Sequence, residues 1–218
     1  MHRISLRQIT FPTVIFLCLL NFFAQTGSSQ EMISANIPGP RTTVENHLGV
    51  PVFMLDGKPF LEPAFETYVP AEKYFRQFAE AGTRLFGFAC TSSYEPWEHS
   101  TAVWVGDNVF NYSEFDERVG MVLKAKPDGL IMPRIHVAEP PWWFKQNPDH
   151  VMIYDDGSRE ILNPHRLWPA CKSLPYASIA SPKWRADMCM TLEKMLDHIH
   201  SQPYAENMFA YHIYGLAT

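Results

Sequence analysis

Short apolar runs alternate with amphipathic helical stretches along most of the chain. Four strand-like runs are centred on residues 59–67, 83–89, 130–137 and 208–214; the first of them could equally be the second arm of a hairpin. Apolar side chains recur at helical spacing over 69–82, 114–126 and 181–200. A repeated strand–helix–strand order predicts right-handed crossover connections and therefore a parallel sheet. We expect an α/β fold.

The connections differ at the two ends of this predicted sheet. The returns from helix to strand are short, at 81–84 and 126–129, whereas the segments that follow the strands are longer, polar and aromatic. This asymmetry is typical of a (β/α)₈ barrel, whose site lies on the loops after the strands. A doubly wound open sheet is the alternative, but no glycine-rich phosphate turn follows the first strand.

The length of the chain sets a further expectation. A complete (β/α)₈ barrel takes about 250 residues. This chain has 218 residues and ends just after its fourth predicted strand. We therefore expect the amino-terminal portion of a barrel, about four β/α units long and truncated.

The amino terminus is typical of an export signal. His2, Arg3 and Arg7 give a positive start, residues 14–24 are apolar, and small residues follow at 26–29. This pattern predicts a cleaved signal peptide and a secreted or periplasmic protein. The apolar run is shorter than the roughly 18 to 20 residues of a spanning helix, so no membrane span is expected after cleavage; an uncleaved anchor is the alternative.

These features divide the chain into three parts. Residues 1–29 are the predicted signal peptide, 30–49 an extended lead-in, and 50–218 a partial barrel domain. The domain is expected to begin with a hairpin, because Asp56-Gly57 between two apolar runs is a strong signal for a tight turn.

Composition argues against several classes of partner. The net charge of −5 and the absence of Lys/Arg runs disfavour nucleic acid and anionic membrane surfaces. Beyond the signal the cysteines are Cys90, Cys171 and Cys189, which allow at most one internal disulfide and leave its pairing open. The sequence has no CxxC pair, so structural zinc is not predicted. We expect neither a metal nor a cofactor.

Candidate binding residues follow the third predicted strand. Pro140 and Pro141 end regular strand pairing, and Trp142 and Trp143 come directly after them. Adjacent indoles at a strand end suit the apolar face of a sugar ring. The alternative is that both rings fill the gap between the strand and the next helix.

Polar side chains on the strands are further candidates. Arg134 and His136 alternate with Ile135, so they share one face of the third strand. An inward arginine must be paired or face a ligand. The alternatives are that Arg134 pairs with an acidic group such as Glu62 or Glu66, and that His136 is a core histidine. The fourth strand offers His212 and Tyr214, which are equally open between a ligand and a structural role.

Several stretches resemble glycoside hydrolase family 42, the β-galactosidase-like members of the retaining (β/α)₈ clan A. The similarity covers about residues 50–218 and is most distinctive at HVAEPPWWFKQNPDHVMIYDDG. The other similar stretches are AEKYFRQFAEAGTRLFGFA (71–89), WVGDNVFNYSEFDERV (104–119), SIASPKWRADM (178–188) and MFAYHIYGLAT (208–218).

The resemblance implies a retaining hydrolase of β-linked sugars, with carbohydrate as its partner; the signal pattern at the amino terminus adds the expectation that it is exported. In the family, one glutamate after the fourth strand is the acid/base and a second after the seventh is the nucleophile; neither falls within this chain, so no catalytic residue is assigned. The family's cysteine zinc cluster is also absent, with only Cys171 in a comparable region.

Other functions stay open at this point. A clan A hydrolase acting on algal or plant polysaccharide is one alternative. A non-catalytic carbohydrate-binding barrel and a fragment with no independent function are two others. The oligomeric state is also open.

Overall fold

The computed structural model describes residues 40–91, 102–159 and 175–215. The strands are β1 (Thr42–His47), β2 (Val50–Leu55), β3 (Lys58–Pro59), β4 (Ala64–Thr67), β5 (Leu85–Thr91), β6 (Trp104–Gly106), β7 (Val109–Phe110), β8 (Leu130–Ile131), β9 (Arg134–Val137) and β10 (His212–Gly215). The helices are α1 (Glu72–Glu80), α2 (Ser113–Ala125), α3 (Pro141–Gln146) and α4 (Pro182–Ser201), with short 3₁₀ turns at Pro148–His150 and Pro203–Asn207. The predicted signal peptide and Cys171 lie outside the described residues.

Strands β4, β5, β9 and β10 form a parallel sheet in which sequence order and spatial order agree. The neighbours run β4–β5–β9–β10, and β8 also pairs with β5. β8 and β9 are separated by Met132 and Pro133, and a proline has no N–H to donate to a ladder. Helices α1, α2 and α4 connect the strands, which confirms the predicted α/β class with a parallel sheet.

The predicted hairpin is present at the start of the described chain. β2 and β3 pair antiparallel around Asp56-Gly57, and β1 adds to the other edge of β2. Asp56 and Gly57 have φ angles of 50° and 76°. Two successive positive φ angles are what a type I′ hairpin turn requires, and aspartate followed by glycine tolerates them well.

The main hydrophobic core lies between the sheet and its helices. Phe86, Phe88 and Cys90 of β5 project to one side, where they meet Phe75 of α1 and Phe115 of α2. Burial in this apolar layer raises the pKa of the Cys90 thiol. Helix α4 adds Met195 and Ile199 to this core, as its predicted apolar stripe indicated.

A smaller cluster packs the hairpin against the start of the sheet. The rings of Phe53 and Phe60 contact Phe209, with centroids 5.3 and 4.9 Å apart. Phe60 and Phe209 also pack with Leu85, the first residue of β5. The Thr42 hydroxyl donates a hydrogen bond to the Phe209 carbonyl at 2.6 Å. The hairpin therefore covers the amino end of the sheet and leaves the carboxyl end for a site.

Asp116 ties α2 to α4 and to the turn that follows it. Its Oδ1 accepts a hydrogen bond from the Tyr204 hydroxyl. The same oxygen lies 2.8 Å from Nε2 of His198. The His198 ring also stacks on Tyr112, with centroids 4.0 Å apart. One carboxylate thus holds together residues that are far apart in sequence.

Replacing Asp116 by alanine removes both contacts at once. Because hydrogen bonds to a charged acceptor stabilise more than neutral ones, we expect Asp116→Ala to lower the free energy of unfolding by about 2 kcal/mol. Urea unfolding measures this, and the exposed neighbour Glu117→Ala is the matched control, expected to change stability by less than about 0.5 kcal/mol. Equal losses in the two variants would contradict the bridging role of Asp116.

Candidate functional site

One face of the parallel sheet carries long polar and aromatic side chains. Side chains alternate between the two faces of a strand. Phe65 of β4 and Ile135 of β9 pack into the core on the helix side, so their neighbours project from the opposite face. We call this surface the polar face and define it by Glu66, Arg134, His136, His212 and Tyr214.

The strand register brings four predicted site residues together. His212 lies beside Arg134, and Tyr214 beside His136, because β9 and β10 pair in parallel with this register. The Tyr214 ring stacks on His136 at 4.7 Å between centroids and lies 6.0 Å from the ring of His212. Glu66 of β4 reaches the same face from the other side of β5.

Arg134 is held between aromatic rings and beside one carboxylate. Its guanidinium carbon lies 4.9 Å from the centre of the Tyr68 ring and 4.3 Å from that of Tyr214. Its Nη1 lies 3.7 Å from Oε1 of Glu66, an ion pair that is too long to be a hydrogen bond. Of the two acidic partners considered from the sequence, Glu66 is therefore the one present. Glu62 instead accepts two hydrogen bonds from Arg84.

Gly87 makes room for this ion pair. Glu66 is opposite Gly87 in the register, and Arg134 is opposite Ala89 of the same central strand. A Cβ at position 87 would lie 3.1 Å from the Glu66 Cγ and 3.1 Å from the Met132 carbonyl oxygen. The Glu66 side chain therefore packs closely over Gly87, where a larger residue would be tightly placed against it.

His136 is buried, in line with the alternative that it is a core histidine. It is 6% exposed. Burial, and then the nearby charge of Arg134, lower the pKa of its imidazole to about 4. The ring is therefore neutral at pH 7 and presents a flat, uncharged surface to Tyr214.

The two tryptophans lie in a different environment from the polar face. Trp143 is 1% exposed and donates its indole N–H to Asp187 of α4 at 2.6 Å. This burial leaves neither ring face for a sugar. Trp142 is partly exposed and packs edge-on against Trp104 at 4.8 Å. Both pack around Val137, whose side chain lies on the opposite side of β9 from His136.

Contacts among the described residues keep these two groups separate. No ring contact or hydrogen bond between described residues joins either tryptophan to Arg134, His136, His212 or Tyr214. Trp143 fills the space between strand and helix, which was the alternative considered from the sequence. Trp142 keeps some exposed surface.

Glu139 is a buried carboxyl that sequence reasoning missed. It follows β9, is 4% exposed and accepts a hydrogen bond from the indole N–H of Trp184. Burial raises the pKa of this carboxyl above its ordinary value. A carboxylate placed between an apolar strand and two prolines was the available signal. Its contact with α4 makes it a link between β9 and that helix.

A cavity of about 450 Å³ lies on the helix side of the sheet. Its lining includes Val69 and Pro70 after β4 and Glu117 and Arg118 of α2. Arg118 donates hydrogen bonds to the Ala89 carbonyl and to Glu114, so it fastens α2 to the central strand. The polar face does not line this cavity.

His136, the buried histidine of the polar face, makes folding stability depend on pH. The folded-state pKa of His136 lies below the ordinary 6.5, so protons bind preferentially to the unfolded chain as the pH falls, and stability decreases from about pH 6.5 toward pH 4. Between pH 7.5 and pH 5 we expect His136→Phe, which keeps a ring against Tyr214, to remove about 2 kcal/mol of this loss. Urea unfolding at both pH values measures it, with His212→Phe as the control. Identical pH dependence in wild type and His136→Phe would contradict the assignment.

The contribution of Glu139 to folding stability changes with pH in the opposite direction to that of His136. Its raised folded-state pKa means that the folded chain holds the proton more tightly, so ionisation lowers stability as the pH rises above the ordinary glutamate value. A glutamine at position 139 can still accept from Trp184 and has no charge to bury. We expect Glu139→Gln to be at least as stable as wild type at pH 7, with the exposed Glu80→Gln as control in thermal unfolding. A clear loss of stability would show that the ionised carboxylate is itself stabilising.

The described part of the chain shows neither a metal-binding cluster nor a membrane-spanning helix. Among residues 40–91, 102–159 and 175–215, no group of three or more His, Cys, Asp or Glu side chains could hold a metal ion. In the same part of the chain, no helix combines the length and apolar character needed to cross a membrane. A scan against protein-family models and a search of curated protein sequences found no match to the chain.

Proposed function

We propose that this chain is the amino-terminal part of an exported, β-galactosidase-like retaining glycoside hydrolase with a (β/α)₈ barrel, acting on β-linked sugars. Support for the barrel comes from the sheet, in which parallel strands follow one another in sequence order with helical connections. The sequence resemblance to family 42 supports the reaction class, and the signal pattern of residues 1–29 supports export.

One observation carries the proposal. Four residues chosen from the sequence as sugar ligands, Arg134, His136, His212 and Tyr214, share one face of the sheet opposite the hydrophobic core. In a closed barrel this face would point inward, and ligands bind at the carboxyl ends of the strands. Flat aromatic surface beside hydrogen-bond donors is what a sugar ring requires.

The residues of this chain are proposed to bind and orient the sugar. The Tyr214 ring contacts His136 and Arg134 but is only half-buried, and its remaining exposed surface would pack against the apolar face of the sugar. Arg134 offers donors for the sugar oxygens. Retaining hydrolysis needs two carboxyl groups about 5 Å apart. Among described residues of the polar face, Glu66 is the one carboxylate, and it is paired with Arg134. Acid/base and nucleophile roles are therefore not assigned to it.

Ligand-observed NMR titration with methyl β-D-galactoside tests the proposal. We expect binding to the wild-type chain and a loss of about tenfold in affinity for Tyr214→Ala, the scale of one lost ring contact. Ile213→Ala is the matched control, because Ile213 is the adjacent residue of β10 on the opposite face and is 47% exposed. We expect its affinity to be unchanged.

The outcomes separate the proposal from its alternatives. Absence of binding to wild type, or equal effects of the two substitutions, would contradict a sugar site on the polar face. If Trp142→Ala abolished binding while Tyr214→Ala did not, the sugar would bind at the cluster of Trp104, Trp142 and Trp143 instead.

A further inference from the structure

Arg134 differs from Arg84 and Arg118 in how its donors are used. Arg84 donates two hydrogen bonds to Glu62, at 2.7 and 2.5 Å. Arg118 donates to the Ala89 carbonyl and to Glu114. For Arg134, no described residue accepts a hydrogen bond from the guanidinium, and its Nε is buried without a partner. The buried Nε is the costly position, because a donor that makes no hydrogen bond there has no water to replace its partner.

The position of this guanidinium is set before any ligand arrives. The rings of Tyr68 and Tyr214 lie 4.9 and 4.3 Å from its central carbon, and the side chain as a whole is 25% exposed. Aromatic contact holds a planar cation in place without using its N–H groups. The donors are thereby left for a group that approaches from outside the sheet.

The guanidinium of Arg134 is itself suited to a carboxylate, and the groups around it leave its donors unsatisfied. His136 is neutral at pH 7 because burial lowers its pKa to about 4. Glu66 is 3.7 Å away and 34% exposed, which is close enough to compensate charge but too distant to satisfy the donors by hydrogen bonds. A planar carboxylate can accept two parallel hydrogen bonds from a guanidinium, a stronger interaction than a neutral hydroxyl can make.

We propose that Arg134 binds the carboxylate of an acidic sugar, so that the polar face recognises a hexuronic acid residue. This inference rests on the proposed function, since it names the substrate class of the same site. The sugar carboxylate would accept from the guanidinium, and the apolar face of the sugar ring would lie against Tyr214. Glu66 would then act against the ligand by partly neutralising Arg134.

A pair of ligands that differ only at C6 tests this directly. Calorimetric titration compares methyl β-D-galactosiduronate with methyl β-D-galactoside on the same 218-residue chain. We expect the uronide to bind about tenfold more tightly, the scale of a charge-assisted bidentate pair. Arg134→Lys keeps the charge but loses the planar fork, so about tenfold of uronide affinity should be lost, and the ratio of uronide to galactoside affinity should fall.

Two further variants make the test independent of how well Arg134→Lys folds. Glu66→Gln removes the competing carboxylate and should raise uronide affinity about threefold at low salt, with less effect on the galactoside. Arg84→Lys is the matched control for an arginine-to-lysine change at the other end of the sheet, and should leave both affinities unchanged. Thermal unfolding of each variant confirms that the affinities refer to folded protein.

Each outcome separates this inference from the proposed function. If neither ligand binds wild type, the proposed function fails along with the inference. If the galactoside binds in a Tyr214-dependent way but the uronide binds no more tightly, the function stands and the carboxylate site is wrong. Uronide affinity that is unchanged by Arg134→Lys, or weakened by Glu66→Gln, would equally overturn the inference.

Discussion

The structure depends on the alternation of side chains along the central strand β5. All seven of its residues, Leu85–Thr91, are buried. Phe86, Phe88 and Cys90 build the core beneath the helices. Gly87 and Ala89, on the other face, are small and lie beside Glu66 and Arg134 in the register. One strand therefore supports the helices and also gives two long charged side chains the room to meet across it.

This arrangement separates stability from recognition. The helix side is filled by apolar contacts, while the hairpin and its phenylalanine cluster cover the amino end. The polar face then contains a cation held by tyrosine rings, a neutral histidine and one carboxylate. Aromatic surface with directed donors suits a sugar, and an arginine with unused donors suits a sugar that carries an acid.

Local pattern was sufficient to predict the parallel α/β architecture, the hairpin turn and the common face of Arg134 and His136. The hairpin turn and the common face follow from turn chemistry and periodicity within a few residues, and the parallel sheet follows from the repeated order of strands and helices. The environment of Trp143 could not be predicted in this way, because its partner Asp187 lies on a helix far along the chain. Glu139 was missed for the same reason, since its contact is Trp184 of α4. The choice of Glu66 over Glu62 as the partner of Arg134 depended on the space above Gly87.

We propose that ligand binds at the polar face and not at the cluster of Trp104, Trp142 and Trp143. A crystal structure of the chain soaked with methyl β-D-galactosiduronate tests this most directly. We expect the sugar ring to pack on Tyr214, with the carboxylate of the sugar within hydrogen-bond distance of the Arg134 guanidinium. A ring bound on Trp142 with the polar face empty would contradict it.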